Sequence, residues 1–160
     1  MSGSRLEKIV VSTGLGRLSQ RPGFEDKILP EIIKELSLIT GQKPSISTAR
    51  KSIAGFKLRE GDTVGLKVTL RGKRMKDFLS RLVNTTIPRV RDFRGIDSKN
   101  IDRQGNLTIG IKEHIVFPEV NQDETKIDFG LEVTLVSDAK DKGESYNLFK
   151  ELGIPLKEKE

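Results

Sequence analysis

From Thr63 to Arg71 apolar and polar residues alternate without a break, with Val64, Leu66, Val68 and Leu70 on one parity and Thr63, Gly65, Lys67, Thr69 and Arg71 on the other. A period of two predicts a strand buried on one side only, so the rest of the chain must cover one face and leave the other free. The free parity is cationic and hydroxyl-bearing. It lies inside the most basic part of the chain, since Thr40 to Lys76 holds ten Lys and Arg against two acids, Glu60 and Asp62. A basic run broken by glycines rather than by an apolar helical stripe suits a surface that faces phosphate.

The flanking segments supply the cover. Arg5 to Thr13 predicts a first strand, with Ile9 and Val11 on one parity and Lys8, Val10 and Ser12 on the other. From Glu25 onward Ile28, Leu29, Ile32, Ile33, Leu36 and Ile39 recur at helical spacing. Pro30 fits only in the first turn of that helix, and Gly41 caps its end. Lys43 to Ala49 predicts a short strand that Pro44 confines to an edge or a strand start. Gly72 opens a second helix with Met75, Phe78, Leu79, Leu82 and Val83 inward, Lys73, Arg74, Lys76 and Arg81 outward, and Pro88 as its stop. Leu107 to Ile111 and Ile127 to Leu135 alternate as further strands, and Asp141 to Leu152 reads as a last helix. The order predicts an α+β fold: an antiparallel-rich sheet with helices packed on one face and a cationic open face that carries Lys8, Ser12, Lys67, Thr69 and Arg71. A single RNA-binding domain is expected over residues 5–156, with 1–4 a cloning scar or disordered start and 157–160 a frayed tail.

Several function classes drop out. Gly14-Leu15-Gly16 follows a strand, but the third glycine of a dinucleotide fingerprint would fall on Ser19, and no phosphate-loop motif surrounds Lys73. There is no cysteine, and the only histidine, His114, has no ligands at metal spacing, so it is expected to be structural. No catalytic residue, metal or cofactor is expected. No apolar run approaches the roughly 18 residues of a membrane span, and the absence of cysteine suits a reducing cytoplasm. The net charge of +6 hides an asymmetry: residues 1–96 carry 20 Lys+Arg and 9 Asp+Glu, residues 97–160 carry 9 and 14. A polyanionic partner for the basic half and a different contact elsewhere are expected. Arg50 to Gly61 has no steady period and mixes Arg50, Lys51, Lys57 and Arg59 with Ile53, Phe56 and Leu58, which reads as a mobile basic loop. The cluster Arg89 to Gly95 has two readings, an RNA contact of arginines around an aromatic, or a core plug at Phe93.

The phrases ITGQKP (Ile39 to Pro44), ARKSIAGFKLREG (Ala49 to Gly61), KVTLRGKRM (Lys67 to Met75), PRVRDFRG (Pro88 to Gly95) and GNLTIGIKEHIVFPE (Gly105 to Glu119) closely resemble the bacterial large-subunit ribosomal protein L five family. The resemblance implies a cytoplasmic, ribosome-bound structural protein of the central protuberance that binds 5S rRNA, touches 23S rRNA and the P-site tRNA elbow, and bridges to a small-subunit head protein. It implies no membrane partner and a monomer when free. The family's 5S rRNA residues map onto Ser12, Gln42 and Thr69, with Lys8, Lys43, Lys67 and Arg71 as cationic neighbours, and its tRNA loop onto Arg50, Lys51, Lys57 and Arg59. Ser12 stands where the family has asparagine. The family's extra N-terminal helix has no counterpart here, and the link Gln20 to Asp26 is longer than usual. The alternatives are an engineered or truncated variant of this scaffold without ribosome function and a phosphoryl-transfer or nucleotide-binding enzyme using Gly14, Gly16 and the basic loop.

Overall fold

The computed structural model describes residues 3–49 and 61–157. The expected basic loop, with Arg50, Lys51, Lys57 and Arg59, lies outside the described residues. Five strands form one antiparallel sheet: β1 (Leu6–Gly14), β2 (Ser45–Thr48), β3 (Thr63–Leu70), β4 (Leu107–Ile111) and β5 (Leu131–Ser137), in the spatial order β2-β3-β1-β5-β4. The first strand is the middle one. It pairs Val11 with Val68 of β3 on one side and with Val133 of β5 on the other, so the three strands turn the same parity inward.

That inward parity is Ile9 and Val11, Leu66, Val68 and Leu70, Leu107, Ile109 and Ile111, and Leu131, Val133 and Leu135, all buried. Three helices close over it: α1 (Leu29–Thr40), α2 (Gly72–Arg81) and α3 (Lys142–Glu151). Ile32, Leu36 and Ile39 of α1, Met75 and Phe78 of α2 and Tyr146 and Phe149 of α3 join the strand residues in one continuous core. Burying side chains of this size contributes about 1.5–3 kcal/mol each, which makes the one-sided cover the main source of stability.

The local signals act as read. Pro30 sits in the first turn of α1, and Gly41 ends that helix at φ 76°. The second helix continues past Arg81 as a π-helical turn over Leu82–Thr86 and a 3-10 turn over Ile87–Arg89 that contains Pro88. Asp141 caps α3, its carboxylate accepting the Glu144 backbone N–H at 2.8 Å. Strand β2 lies at the edge, immediately after the buried Pro44.

Two expectations are corrected. The strand predicted from Ile127 starts only at Leu131, because Phe129 leaves the ladder to stack on His114 with ring centroids 4.0 Å apart. Arg71 does not belong to β3, which ends at Leu70; it is the exposed residue that turns the chain into α2.

His114 is fully buried, as a structural role requires. Its Nε2 lies 3.1 Å from the Glu35 carboxylate of α1 and 3.3 Å from the Thr125 hydroxyl, and the Phe129 backbone N–H donates to Nδ1 at 3.3 Å. One ring therefore ties the long connection between β4 and β5 to the first helix. At the opposite end Gly105, at φ 85°, offers its carbonyl to the Ser137 hydroxyl at 2.6 Å and the Ser145 hydroxyl at 3.1 Å. A Cβ there would stand 2.5 Å from the Ser145 oxygen and 3.0 Å from the Ala139 carbonyl.

Gly105→Ala should therefore lower the unfolding free energy by about 2–3 kcal/mol in a urea titration, from the left-handed backbone and the collision together. Gly14→Ala, where nothing lies within 4 Å of the added carbon, should change it by less than about 1 kcal/mol. Equal losses in the two variants would contradict the packing described. His114→Ala should cost about 2 kcal/mol or more, because the buried Glu35 carboxylate loses its ring partner, and a melting temperature unchanged from the parent would refute that bond's contribution.

Candidate nucleic-acid interface

The parity that β1 turns away from the core meets the matching parity of its neighbours in three cross-strand rows. The first reads Ser45, Lys67, Ser12, Glu132 and Gly110 from β2 to β4. The second reads Thr69, Val10, Thr134 and Thr108, and the third pairs Lys8 with Val136. Lys67 and Glu132 are exposed, while Lys8, Ser12, Thr69, Thr108 and Thr134 are half-buried. Among the described residues no helix lies over them, so the face is open. Its charges among those residues are two lysines and one glutamate, and hydroxyls make up most of the rest.

The structure brings four of the sequence-predicted residues together. Ser12 and Lys67 are direct cross-strand partners, and Thr69 follows two residues along the same face. Gln42 reaches this corner from the turn after α1. Its Nε2 donates to the Thr69 carbonyl at 3.1 Å, and its Oε1 accepts from Arg74 at 3.0 Å. The carboxamide thus fastens the end of α1 to β3 and to the first turn of α2, and it keeps one N–H and one lone pair for an outside group. The Ser45 hydroxyl donates to the Lys67 carbonyl at 3.2 Å, which holds the edge strand beside the same lysine. Lys43 is exposed next to Gln42.

Lys8 stands apart from that corner, four residues up β1 from Ser12 and about 13 Å away along the strand. Arg71 and the start of α2 form the rim. That helix has no side-chain cap and no acid in its first turn, where Lys73 and Arg74 stand instead. Cations at a helix N-terminus oppose the helix dipole, and together with unpaired backbone N–H groups they make this rim favourable for an anion. In the cluster from Arg89, Phe93 packs partly against the core while Arg89, Arg91 and Arg94 stay exposed.

Sequence reading overlooked Ser45, Thr108, Glu132 and Thr134 as members of this face. The signal was there, since each occupies the polar parity of an alternating strand, but only the strand order places those parities side by side. The glycine motif does not form a nucleotide cradle. Gly14 closes β1, and the chain enters a short 3-10 turn at Leu18–Gln20 instead of a helix whose N-terminus could hold phosphate. Among the described residues no group of three or more His, Cys, Asp or Glu side chains is placed to hold a metal ion, and no helix is long and apolar enough to cross a membrane.

Comparison with known proteins bears on the same chain. Residues 1–59 match the family model described as ribosomal protein L5, and residues 63–156 match the model for the C-terminus of the same ribosomal family. The large ribosomal subunit protein uL5 of Halothermothrix orenii is 48% identical over 156 residues, spanning 98% of this chain and 85% of the relative. The uL5 proteins of Limosilactobacillus fermentum and Heliobacterium modesticaldum are 48% and 50% identical, covering 98% and 96% of this chain and 84% and 83% of their own lengths. With both halves matched, and with relatives this similar along almost all of its length, the chain belongs to the ribosomal protein L5 (uL5) family.

Proposed function

We propose that this protein is a structural, non-catalytic constituent of the large ribosomal subunit that binds 5S rRNA on its open sheet face and so helps to organise the central protuberance. The observation that carries the reading is the corner where Ser12, Lys67, Thr69 and Gln42 converge on a surface that no described helix covers, beside the cationic start of α2. Hydroxyls and a free amide edge suit ribose 2′-hydroxyls and base edges, while Lys67, Arg71, Lys73 and Arg74 suit phosphate. Family membership adds the ribosomal setting, and with it translation and a bacterial cytoplasmic location.

Finer contacts follow the family resemblance. The basic segment with Arg50, Lys51, Lys57 and Arg59 would meet the P-site tRNA elbow, and other surfaces would meet 23S rRNA and a small-subunit head protein. Ser12 replaces a two-donor amide with one hydroxyl, so its contact with RNA is shorter, bridged by water or lost.

A filter-binding titration against 5S rRNA tests this directly. Thr69→Ala should weaken binding by roughly 5- to 10-fold, the worth of about one hydrogen bond, with the fold intact. Gln42→Ala should weaken it by at least as much, since Arg74 and the β3 edge also lose their brace. Lys67→Ala should reduce the slope of log affinity against log salt by about 1. Equal affinity for 5S rRNA, tRNA and duplex DNA at moderate salt would overturn the specific assignment, and an unchanged salt slope would remove Lys67 from the phosphate contacts.

A further inference from the structure

One group on the open face does not suit a phosphate backbone. Glu132 is exposed in the middle of the first row, between Ser12 on one neighbouring strand and Gly110 on the other. Its carboxylate has no hydrogen-bonding or ionic partner among the described residues, although Lys67 stands two strands away, roughly 10 Å by strand spacing. A free carboxylate facing RNA repels phosphate, so it is tolerated there only if it meets N–H or O–H donors.

The surroundings of Glu132 give it room for a ligand. It lines a cavity of about 550 Å³ at the end of the sheet, together with Ser12, Gly14, Gly110, Lys112 and Gly130. That volume falls in the range of small-ligand sites and accommodates a nucleotide. Glycine at Gly130 has a reason within the fold, because a Cβ would come within 3.1 Å of the Ile111 carbonyl and 3.2 Å of that of Lys112. Gly14 and Gly110 have none: neither has a positive φ, and nothing lies within 4 Å of where a Cβ would stand. Glycine in a strand costs stability, and its usual return is close approach by something from outside. Bare peptide planes beside an unpaired acceptor form a flat floor with one polar wall.

We infer that this cavity takes an unstacked guanine of the RNA, laid on the bare backbone of Gly110 directly across from Glu132, with the Glu132 carboxylate accepting from its N1–H and N2–H groups and Gly14, two strands away from Gly110, leaving room for the adjoining sugar. Two oxygens match two adjacent donors, a pattern that the Watson–Crick edges of the other three bases lack, and bases in RNA loops are free to present that edge. Lys112 at the rim and Lys67 across Ser12 are placed for the flanking phosphates. The inference rests on the open face being the 5S rRNA surface, and it adds to that surface a position where sequence is read.

The test is a kethoxal footprint, since kethoxal modifies guanine at N1 and N2. The probe is 5S rRNA, alone and saturated with the parent protein, Glu132→Gln or Gly110→Val. Glutamine keeps the volume but replaces one acceptor with a donor; valine fills the floor at a position with open space. With the parent protein, at least one unpaired guanine should be shielded. With either variant that guanine should regain the reactivity it has in free RNA, the remaining protections should persist, and affinity should fall about 10-fold. A footprint from Glu132→Gln identical to the parent's would overturn the inference while leaving 5S rRNA binding in place. Binding by the parent protein with no guanine shielded would also overturn the inference alone, whereas failure of the parent protein to bind 5S rRNA in the filter-binding titration would overturn the proposed function and this reading with it.

Discussion

The structure depends on the central strand being paired on both sides in a single register. Ile9 and Val11 of β1 are fully buried, and their cross-strand partners Leu70, Val68, Leu135 and Val133 are buried with them. A slip of one residue in either ladder would exchange the faces, placing Lys67 and Glu132 under the helices and Val68 and Val133 in water. The cost of burying those charges unpaired far exceeds any hydrogen-bonding gain, so the hydrophobic cover and the open polar face specify each other. The surface proposed for RNA is the unavoidable reverse of the core.

Much of this was legible in the chain. Strict alternation announced β3, the apolar stripe announced α1, and Pro30 and Gly41 marked that helix's two ends. The alternation after Ile127 misled by four residues, because an apolar residue in register can be withdrawn to pack on a buried ring, as Phe129 is on His114. Glu35 illustrates the opposite failure: a carboxylate on an otherwise apolar helical face looks solvent-directed, and only a histidine 79 residues away explains its burial. Tertiary partners of this kind leave no local signal.

The candidate site was legible to a similar degree. Lys8, Ser12, Lys67 and Thr69 fell on the right face by parity alone, whereas Arg71 was misplaced because the strand stops one residue earlier than its pattern. Gln42 came from resemblance, and its geometry shows a side chain that braces the corner as well as presenting polar atoms. Charge counting overstated the face itself. Most of the basic residues described near it belong to the start of α2 rather than to the strands, which separates a cationic rim from a floor of hydroxyls.

The most direct test of that arrangement is to acetylate the protein's lysines with and without bound 5S rRNA and read each site by mass spectrometry. The account predicts that Lys67, Lys73 and Lys8 become protected in the complex while Lys142 and Lys150 on α3 remain as reactive as in the free protein. Protection on α3 with no change at Lys67 would place the RNA elsewhere on the molecule and contradict the account.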